Sequence, residues 1–198
     1  MGGGYDGCEG PQWITEDGEP TLIYAAHHDH LVFRWSPQAG LRVWRHDSPE
    51  ATSFRPDGKG GYYVVEQTTR QVTRWNEQGE RSEILADRFK GKRLNRPNDL
   101  RLHPDGSLWF TDPDFLFRLR SDEVKELGGQ YIFRLDPESL EIRAVVEDAD
   151  KPNGIAISAG GDSLFFTDSM SKNIYRAAIH EDGNVGEREI FATSQLGG

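Results

Sequence analysis

The chain contains one sequence pattern twice, and this repeat limits the folds that it can adopt. Residues 95–113 and residues 151–169 each contain a Pro-Asn pair, an alternating strand, a Gly/Asp turn and a second strand that ends in Thr-Asp. The Asn and the Asp are 14 residues apart in the first copy and 15 residues apart in the second. Two copies with the same order and nearly the same spacing indicate a repeated β-hairpin.

Four units with related strands extend this pattern over the whole chain. The first strand of each pair covers residues 22–26, 62–66, 108–112 and 164–168, and the strand that follows covers residues 31–35, 71–75, 131–135 and 173–177. Every following strand has Arg at its fourth position, and these arginines are 40, 60 and 42 residues apart because the polar segment 114–128 lengthens the third unit. A unit of about 40 to 50 residues with four short strands is the size of a propeller blade.

The sequence therefore predicts an all-β protein, a β-propeller with about four blades' worth of sequence. The 22 Gly and 10 Pro are spread along 198 residues, which favours many short strands over helices. A propeller usually has four to eight blades. We therefore expect residues 1–198 to form a single propeller domain with an incomplete ring, and a complete four-bladed ring is the alternative.

Charge and composition exclude several classes of partner. The net charge of −10 argues against nucleic acid and anionic membranes, and it fits a cation or a neutral small molecule. Cys8 is the only cysteine, so the chain has no internal disulfide and no thiol cluster for zinc. The first residues do not read as a signal peptide, and no apolar run is long enough to span a bilayer. We therefore expect a cytoplasmic protein, and the oligomeric state is not predicted.

Asn98 and Asn153 are candidate metal ligands. Each is expected where the innermost strand of a blade begins, at the mouth of the central channel. A side-chain amide oxygen is a neutral, hard ligand that calcium accepts among its six to eight oxygens. The alternative is turn formation, for which Asn is also suited. Because two asparagines occupy matching positions of the repeat, the metal interpretation is favoured.

Three acidic residues accompany these asparagines. Asp112 and Asp168 end the second strand of each hairpin, so we expect them to orient ligands or to hold loop backbone rather than to contact the metal. The alternative is that they only satisfy turn amides. Glu9 is expected ahead of the first strand, at the position of the first unit that corresponds to the inner-strand entry positions of Asn98 and Asn153. There it would supply an anionic oxygen, and a solvated surface position is the alternative.

Two other patterns are weaker signals. His27, His28 and His30 fall within four positions, but in an extended strand His27 points away from His28 and His30, and in a hairpin turn all three are solvated. A surface turn is therefore expected rather than a metal site. The four arginines of the following strands are expected to pair with nearby acids or to lie along the blade edges rather than to form an anion-binding ring.

Several stretches resemble the SMP-30/gluconolactonase family. They are Glu9-Gly-Pro-Gln-Trp, residues 92–99 with 109–113, and residues 152–156 with 166–169. The resemblance implies a six-bladed propeller that hydrolyses sugar lactones such as gluconolactone with one divalent cation, calcium or alternatively zinc. By position it implies that Glu9 and Asn153 bind the metal. It also implies that Asn98 faces the metal or the substrate, and that Arg96 contacts the substrate.

The sequence departs from the family pattern in two places. The resemblance implies a further acidic residue, a metal ligand and candidate general base, in a later motif beyond Gly198, so no catalytic base is assigned. Gln67 stands where many members carry His. Two alternatives therefore stay open beside the lactonase: a related calcium propeller that hydrolyses aryl esters or organophosphates, and a propeller that is a binding scaffold without catalysis.

Overall fold

The computed structural model describes residues 7–16, 18–115 and 123–194, and in these ranges the regular structure is almost entirely β. The elements are β1 (Cys8–Glu16), β2 (Glu19–Ala26), the 3-10 helix η1 (His27–Asp29), β3 (Leu31–Ser36), β4 (Gly40–Arg45), β5 (Ala51–Pro56), β6 (Tyr62–Glu66), β7 (Gln71–Trp75), β8 (Arg81–Ala86), β9 (Arg88–Phe89), β10 (Lys92–Arg93), β11 (Leu100–Leu102), β12 (Leu108–Asp112), β13 (Gln130–Leu135), β14 (Ile142–Ala149), β15 (Pro152–Ile157), β16 (Ser163–Asp168), β17 (Asn173–Ile179) and β18 (Val185–Thr193). None of the helices in these ranges could cross a bilayer, because none is both long and apolar enough.

Sixteen of the strands form four antiparallel sheets, each with four strands in chain order. The sheets are β1–β4, β5–β8, β11–β14 and β15–β18, and β9 with β10 forms a separate two-stranded ribbon. We refer to the four sheets as blades 1 to 4. The prediction of an all-β propeller with four blades of sequence is confirmed, and the predicted strand pairs all lie on the second and third strands of the blades.

The chain divides into two compact units. Residues 1–85 form the first unit, which contains blades 1 and 2, and residues 86–198 form the second unit, which contains blades 3 and 4. The expectation that both belong to one propeller domain stays a prediction. Residues 116–122 of the predicted insertion 114–128 lie outside the described residues.

In the first unit, blades 1 and 2 share one apolar core. Ile23 and Val32 of blade 1 pack with Phe54, Val64 and Trp75 of blade 2, and all five are essentially inaccessible to solvent. Because side chains alternate across a strand, each blade presents one such apolar face. Full burial of a large apolar side chain contributes roughly 1.5–3 kcal/mol, so packing of the two faces against each other stabilises both blades.

The second unit repeats this packing. Trp109 and Ile132 of blade 3 contact Ile155, Leu164 and Phe166 of blade 4 in a second buried cluster. The first strands of the two blades, β11 and β15, lie next to each other. This packing brings the beginnings of the two repeated hairpins together.

The arginine repeat has a structural role in each blade. The pairs are Arg34 with Glu16 (2.9 Å), Arg74 with Glu83 (2.7 Å), Arg134 with Asp105 (3.1 Å) and Arg176 with Glu189 (3.8 Å). The prediction that these arginines pair with nearby acids is confirmed.

Candidate functional site

The second unit brings Asn98 and Asn153 to the same end of adjacent blades. Asn98 lies two residues before β11 and is 9% exposed, whereas Asn153 is the second residue of β15 and is half-buried. β15 has an irregular register with β16 between Pro152 and Ile155, so Asn153 lies in a bulge. A bulge turns a side chain away from the regular alternation of the strand, which suits a ligand position.

Hydrogen bonds through Asp99 and Thr111 connect the backbone around the two asparagines. The Asp99 N–H donates to Thr111 Oγ1 at 3.1 Å, and Thr111 Oγ1 donates to the carbonyl oxygen of Asn153 at 2.7 Å. In the opposite direction, the Ile155 N–H donates to Asp99 Oδ2 at 3.0 Å. The bonds from Thr111 to Asn153 and from Ile155 to Asp99 cross between blades 3 and 4 at the end of the sheets where the asparagines lie.

The side chain of Asn153 is oriented by its own blade. Its Nδ2 donates to Ser169 Oγ at 3.2 Å, and an amide binds a cation through the other side-chain atom, Oδ1. An amide oxygen at this position, together with that of Asn98, is the kind of donor that calcium accepts. The donor chemistry of the second unit therefore fits a hard divalent cation.

Asp112 and Asp168 hold the backbone that leads to the two asparagines. Asp112 is fully buried and accepts the N–H of Asn95 at 2.8 Å, and Asp168 accepts the N–H of Asp150 at 2.9 Å. Asn95 and Asp150 each lie three residues before a candidate ligand, so the two carboxylates act at equivalent points of the repeat. Their predicted effect on a metal stays a prediction.

The hydrogen bonds at Asp168 shift its ionisation. Burial alone would raise the pKa of this carboxyl, but the backbone N–H groups of Asp150, Ser171 and Met170 stabilise the carboxylate and lower its pKa overall. The group is therefore anionic throughout the physiological range.

Arg96, the predicted substrate contact, is fully buried and is paired with an acid. Its Nη2 lies 2.6 Å from Glu123 Oε1, and its backbone N–H donates to the carbonyl of Pro113 at 3.1 Å. The pair joins the segment before β11 to the segment between β12 and β13. Its predicted contact with substrate stays a prediction.

A second ionic contact lies beside Asn153. Asp114 is bonded to Lys151, two residues before Asn153, and to Lys125 at 2.9 Å. Burial lowers the pKa of the Lys151 ammonium group. Asp114 and Lys125 belong to the insertion of the third unit, which is thereby fixed to the start of β15.

Glu9 lies in the first unit, at the entry to its first strand. It is the second residue of β1, where it pairs with Ala25, and it is exposed. A register shift between Glu9 and Gln12 allows β1 to continue through Pro11. Glu9 thus precedes a bulge in β1 much as Asn153 lies in a bulge in β15. Its convergence with the two asparagines stays a prediction.

The second blade differs at the position of Asp112 and Asp168. Glu66 is fully buried and accepts hydrogen bonds from Thr73 Oγ1 (2.8 Å) and Trp75 Nε1 (2.8 Å) of its own blade. It is also paired with Arg81. Gln67, which follows it, is buried as well. Glu66 therefore stabilises the interior of blade 2, and it also holds the turn between β6 and β7, because Thr69 Oγ1 donates to its Oε2 at 2.6 Å.

The histidine cluster lies at a turn, as expected. His27 and His28 are in η1, and His30 ends it with a left-handed backbone, φ 56°. Their rings bond to backbone, His27 Nδ1 to the Gly7 carbonyl (2.6 Å) and His30 Nδ1 to the Ser48 carbonyl (3.0 Å). Within the described ranges, no group of three or more His, Cys, Asp or Glu side chains is arranged to hold a metal.

Sequence reasoning missed the residues that connect the two asparagines. Asp99, Thr111 and Glu123 were not predicted to be functional, and Asp114 and Lys151 were noted only within longer segments. One signal was available, since Thr111 and Thr167 occupy the same place in the two Thr-Asp copies. That signal marks a repeated role, but it does not identify the bond between blades.

Comparison with known proteins gives consistent matches over nearly the whole chain. The model of the SMP-30/Gluconolactonase/LRE-like region matches residues 8–198. A gluconolactonase of Zymomonas mobilis is 27% identical over 199 residues, which is 92% of this chain and 55% of the relative. Pentonolactonase XacC of Haloferax volcanii is 26% identical over 192 residues, 94% of this chain and 58% of the relative.

The fold has an equally clear match among solved structures. The structure of XC5397 from Xanthomonas campestris, described as a gluconolactonase, matches with a TM-score of 0.85 and 28% identity over 95% of this chain and 63% of that one. The chain thus spans little more than half the length of the curated relatives described above.

Proposed function

Because the chain belongs to the SMP-30/gluconolactonase/LRE-like family, we propose that it carries the cation-binding and substrate-binding part of a sugar lactonase. The reaction is hydrolysis of a gluconolactone-like ring ester to the sugar acid. The cation is calcium, with zinc as the alternative, and its ligands in this chain are Glu9, Asn98 and Asn153. The protein acts on a small molecule in the cytoplasm.

One observation carries this proposal: the two asparagines lie at the same end of adjacent blades and are held there by the same set of bonds. Asp112 and Asp168 fix the backbone three residues before each of them, at 2.8 Å and 2.9 Å. Two oxygen donors presented in this way by successive repeats form part of a cation site. The curated relatives named gluconolactonase and pentonolactonase support a lactone as the substrate.

The residues of the chain have distinct roles in this proposal. A bound divalent cation supplies a Lewis acid that polarises the ester carbonyl. Arg96 binds sugar hydroxyl groups or the carboxylate of the product by charge-assisted hydrogen bonds, and Glu123 orients its guanidinium. Asp112 and Asp168 keep the ligand-bearing segments in place. The catalytic base is not assigned to any residue of this chain.

Proton release from gluconolactone in weak buffer tests the proposal. We expect this chain to accelerate acidification over the uncatalysed rate, EDTA to abolish the acceleration, and calcium or zinc to restore it. Asn153→Ala should lose activity, whereas Asn184→Ala, which alters an exposed turn at the other end of blade 4, should retain it.

Two results would contradict the proposal. Acceleration that persists in EDTA would exclude the metal-dependent mechanism. Calcium binding without acceleration would favour the scaffold, or the aryl-ester hydrolase if the same sample cleaves phenyl acetate.

A further inference from the structure

Two residues beside the candidate ligands link blades 3 and 4. We infer that Asp99 and Thr111 are positioning residues that set the spacing between Asn98 and Asn153. This inference rests on the proposed cation site, because the spacing matters only if both asparagines bind one ligand.

The Thr111 hydroxyl acts as donor and acceptor at once. It lies 3.1 Å from the Asp99 amide nitrogen, 2.7 Å from the Asn153 carbonyl oxygen and 3.5 Å from the Asp99 carbonyl oxygen. A hydroxyl has a single proton. That proton is directed to Asn153 because this contact is much the shorter. Thr111 is fully buried, so water does not compete for these partners.

The Asp99 carboxylate forms the second link. Its Oδ1 accepts the Leu100 N–H at 2.9 Å and Arg101 Nη1 at 2.6 Å, which fixes the carboxylate relative to its own strand. Its Oδ2 accepts the Ile155 N–H at 3.0 Å in the next blade. Asp99 directly follows Asn98, and Ile155 lies two residues after Asn153. Both links therefore lie within two residues of the candidate ligands along the chain, at Asp99 next to Asn98 and at Asn153 and Ile155 in the next blade.

Blade 4 provides a matched control. Thr167 Oγ1 accepts the N–H of Gly154 at 2.8 Å, as Thr111 Oγ1 accepts the N–H of Asp99. Among the described residues, the structure gives the Thr167 hydroxyl no hydrogen bond to another blade. Thr167→Val thus removes the bond within a blade, whereas Thr111→Val removes the same bond together with the link between blades.

The experiment compares calcium binding by calorimetry in wild type, Thr111→Val, Thr111→Ser and Thr167→Val. We expect Thr111→Val to weaken binding about fivefold to tenfold, as the loss of one or two net hydrogen bonds predicts. Thr111→Ser retains the hydroxyl and should bind like wild type. Thr167→Val should weaken binding less than Thr111→Val. Asp99→Asn replaces Thr111→Val if circular dichroism shows the latter to be unfolded.

Hydrogen exchange of the Ile155 amide provides a readout that does not depend on the metal. We expect faster exchange in Thr111→Val than in Thr167→Val, because loss of the link frees the start of β15. Wild-type calcium affinity in folded Thr111→Val would overturn the positioning role. If wild type itself binds no calcium, the proposed function fails. The exchange of the Ile155 amide then tests the link separately: an unchanged exchange rate in Thr111→Val would show that the link does not hold the start of β15.

Discussion

Single carboxylates at one position of the repeat have two different roles in this protein. Asp112 and Asp168 accept backbone N–H groups of the segments that lead to the candidate ligands. Glu66, at the same position in blade 2, accepts side-chain donors inside its own blade. The longer side chain of Glu66 reaches donors on β7 and β8 as well as Thr69 of the adjacent turn, whereas Asp112 and Asp168 accept backbone N–H groups of the segments before β11 and β15. Side-chain length and the partners within reach therefore distinguish the two roles.

Asp168→Asn should destabilise the protein at neutral pH. An amide replaces one of the two oxygens that accept the N–H groups of Asp150, Met170 and Ser171, so we expect the free energy of unfolding to fall by about 2 kcal/mol. Urea unfolding measures this difference. Glu187→Gln removes a charge from an exposed position of the same blade and should have almost no effect.

The effect of Asp168→Asn should also depend on pH. The folded-state pKa of Asp168 is below its unfolded value, so the carboxylate stabilises the fold above the unfolded pKa of about 3.9, and this contribution is lost as the pH falls through the folded pKa. Unfolding of wild type and variant at pH 7 and near pH 3 should show a smaller difference in acid. A difference that grows in acid would contradict this assignment.

Glu66→Gln should be more harmful than the loss of a surface ion pair. Glu66 is fully buried and holds Arg81, Trp75 and Thr73, so breaking this network should lower the free energy of unfolding by about 3 kcal/mol. Glu83→Gln breaks the partly exposed pair with Arg74 and should lower the free energy of unfolding by less than about 1 kcal/mol. Equal urea midpoints for the two variants would show that the buried network does not stabilise blade 2.

At the scale of elements, alternation and turn residues were sufficient to predict the strands but not the contacts between blades. The ranges 62–66, 71–75 and 108–112 coincide with β6, β7 and β12, because alternating apolar residues define a half-buried strand locally. The bonds from Thr111 to Asn153 and from Ile155 to Asp99 depend on how two sheets pack. The periodicity of a sequence does not predict the packing of one sheet against another. The bulge between Glu9 and Gln12 is not visible in the sequence pattern either, because it interrupts the alternation of the strand.

Gly10 shapes the bulge of β1 and should not tolerate a side chain. Its φ is +59°, and a Cβ there would overlap the Thr52 carbonyl and lie 2.9 Å from the Ser53 Cα of β5. Gly40 has a similar φ of +67° but faces open space. We expect Gly40→Ala to cost about 1 kcal/mol of stability from its backbone alone and Gly10→Ala to cost about 2 kcal/mol more. Thermal unfolding measures both, and equal losses would show that crowding against β5 is unimportant.

At the scale of the whole molecule, the chain is a set of repeats in which two candidate ligands occupy equivalent positions of two blades. Asn98 and Asn153 were predicted from the repeat alone, and the structure confirms that the two repeats lie side by side within one unit. The central claim is that the proposed cation is bound through both asparagines of the second unit.

Thermal unfolding with and without calcium tests that claim most directly. A ligand at 100 times its Kd adds about 2.7 kcal/mol of stability to a folded protein, so calcium should raise the Tm of wild type and of Asn184→Ala by several degrees. Asn98→Ala and Asn153→Ala, which each remove one candidate ligand of the second unit, should both lose most of this rise. A rise as large in Asn98→Ala or Asn153→Ala as in wild type, or no rise in wild type, would contradict the account.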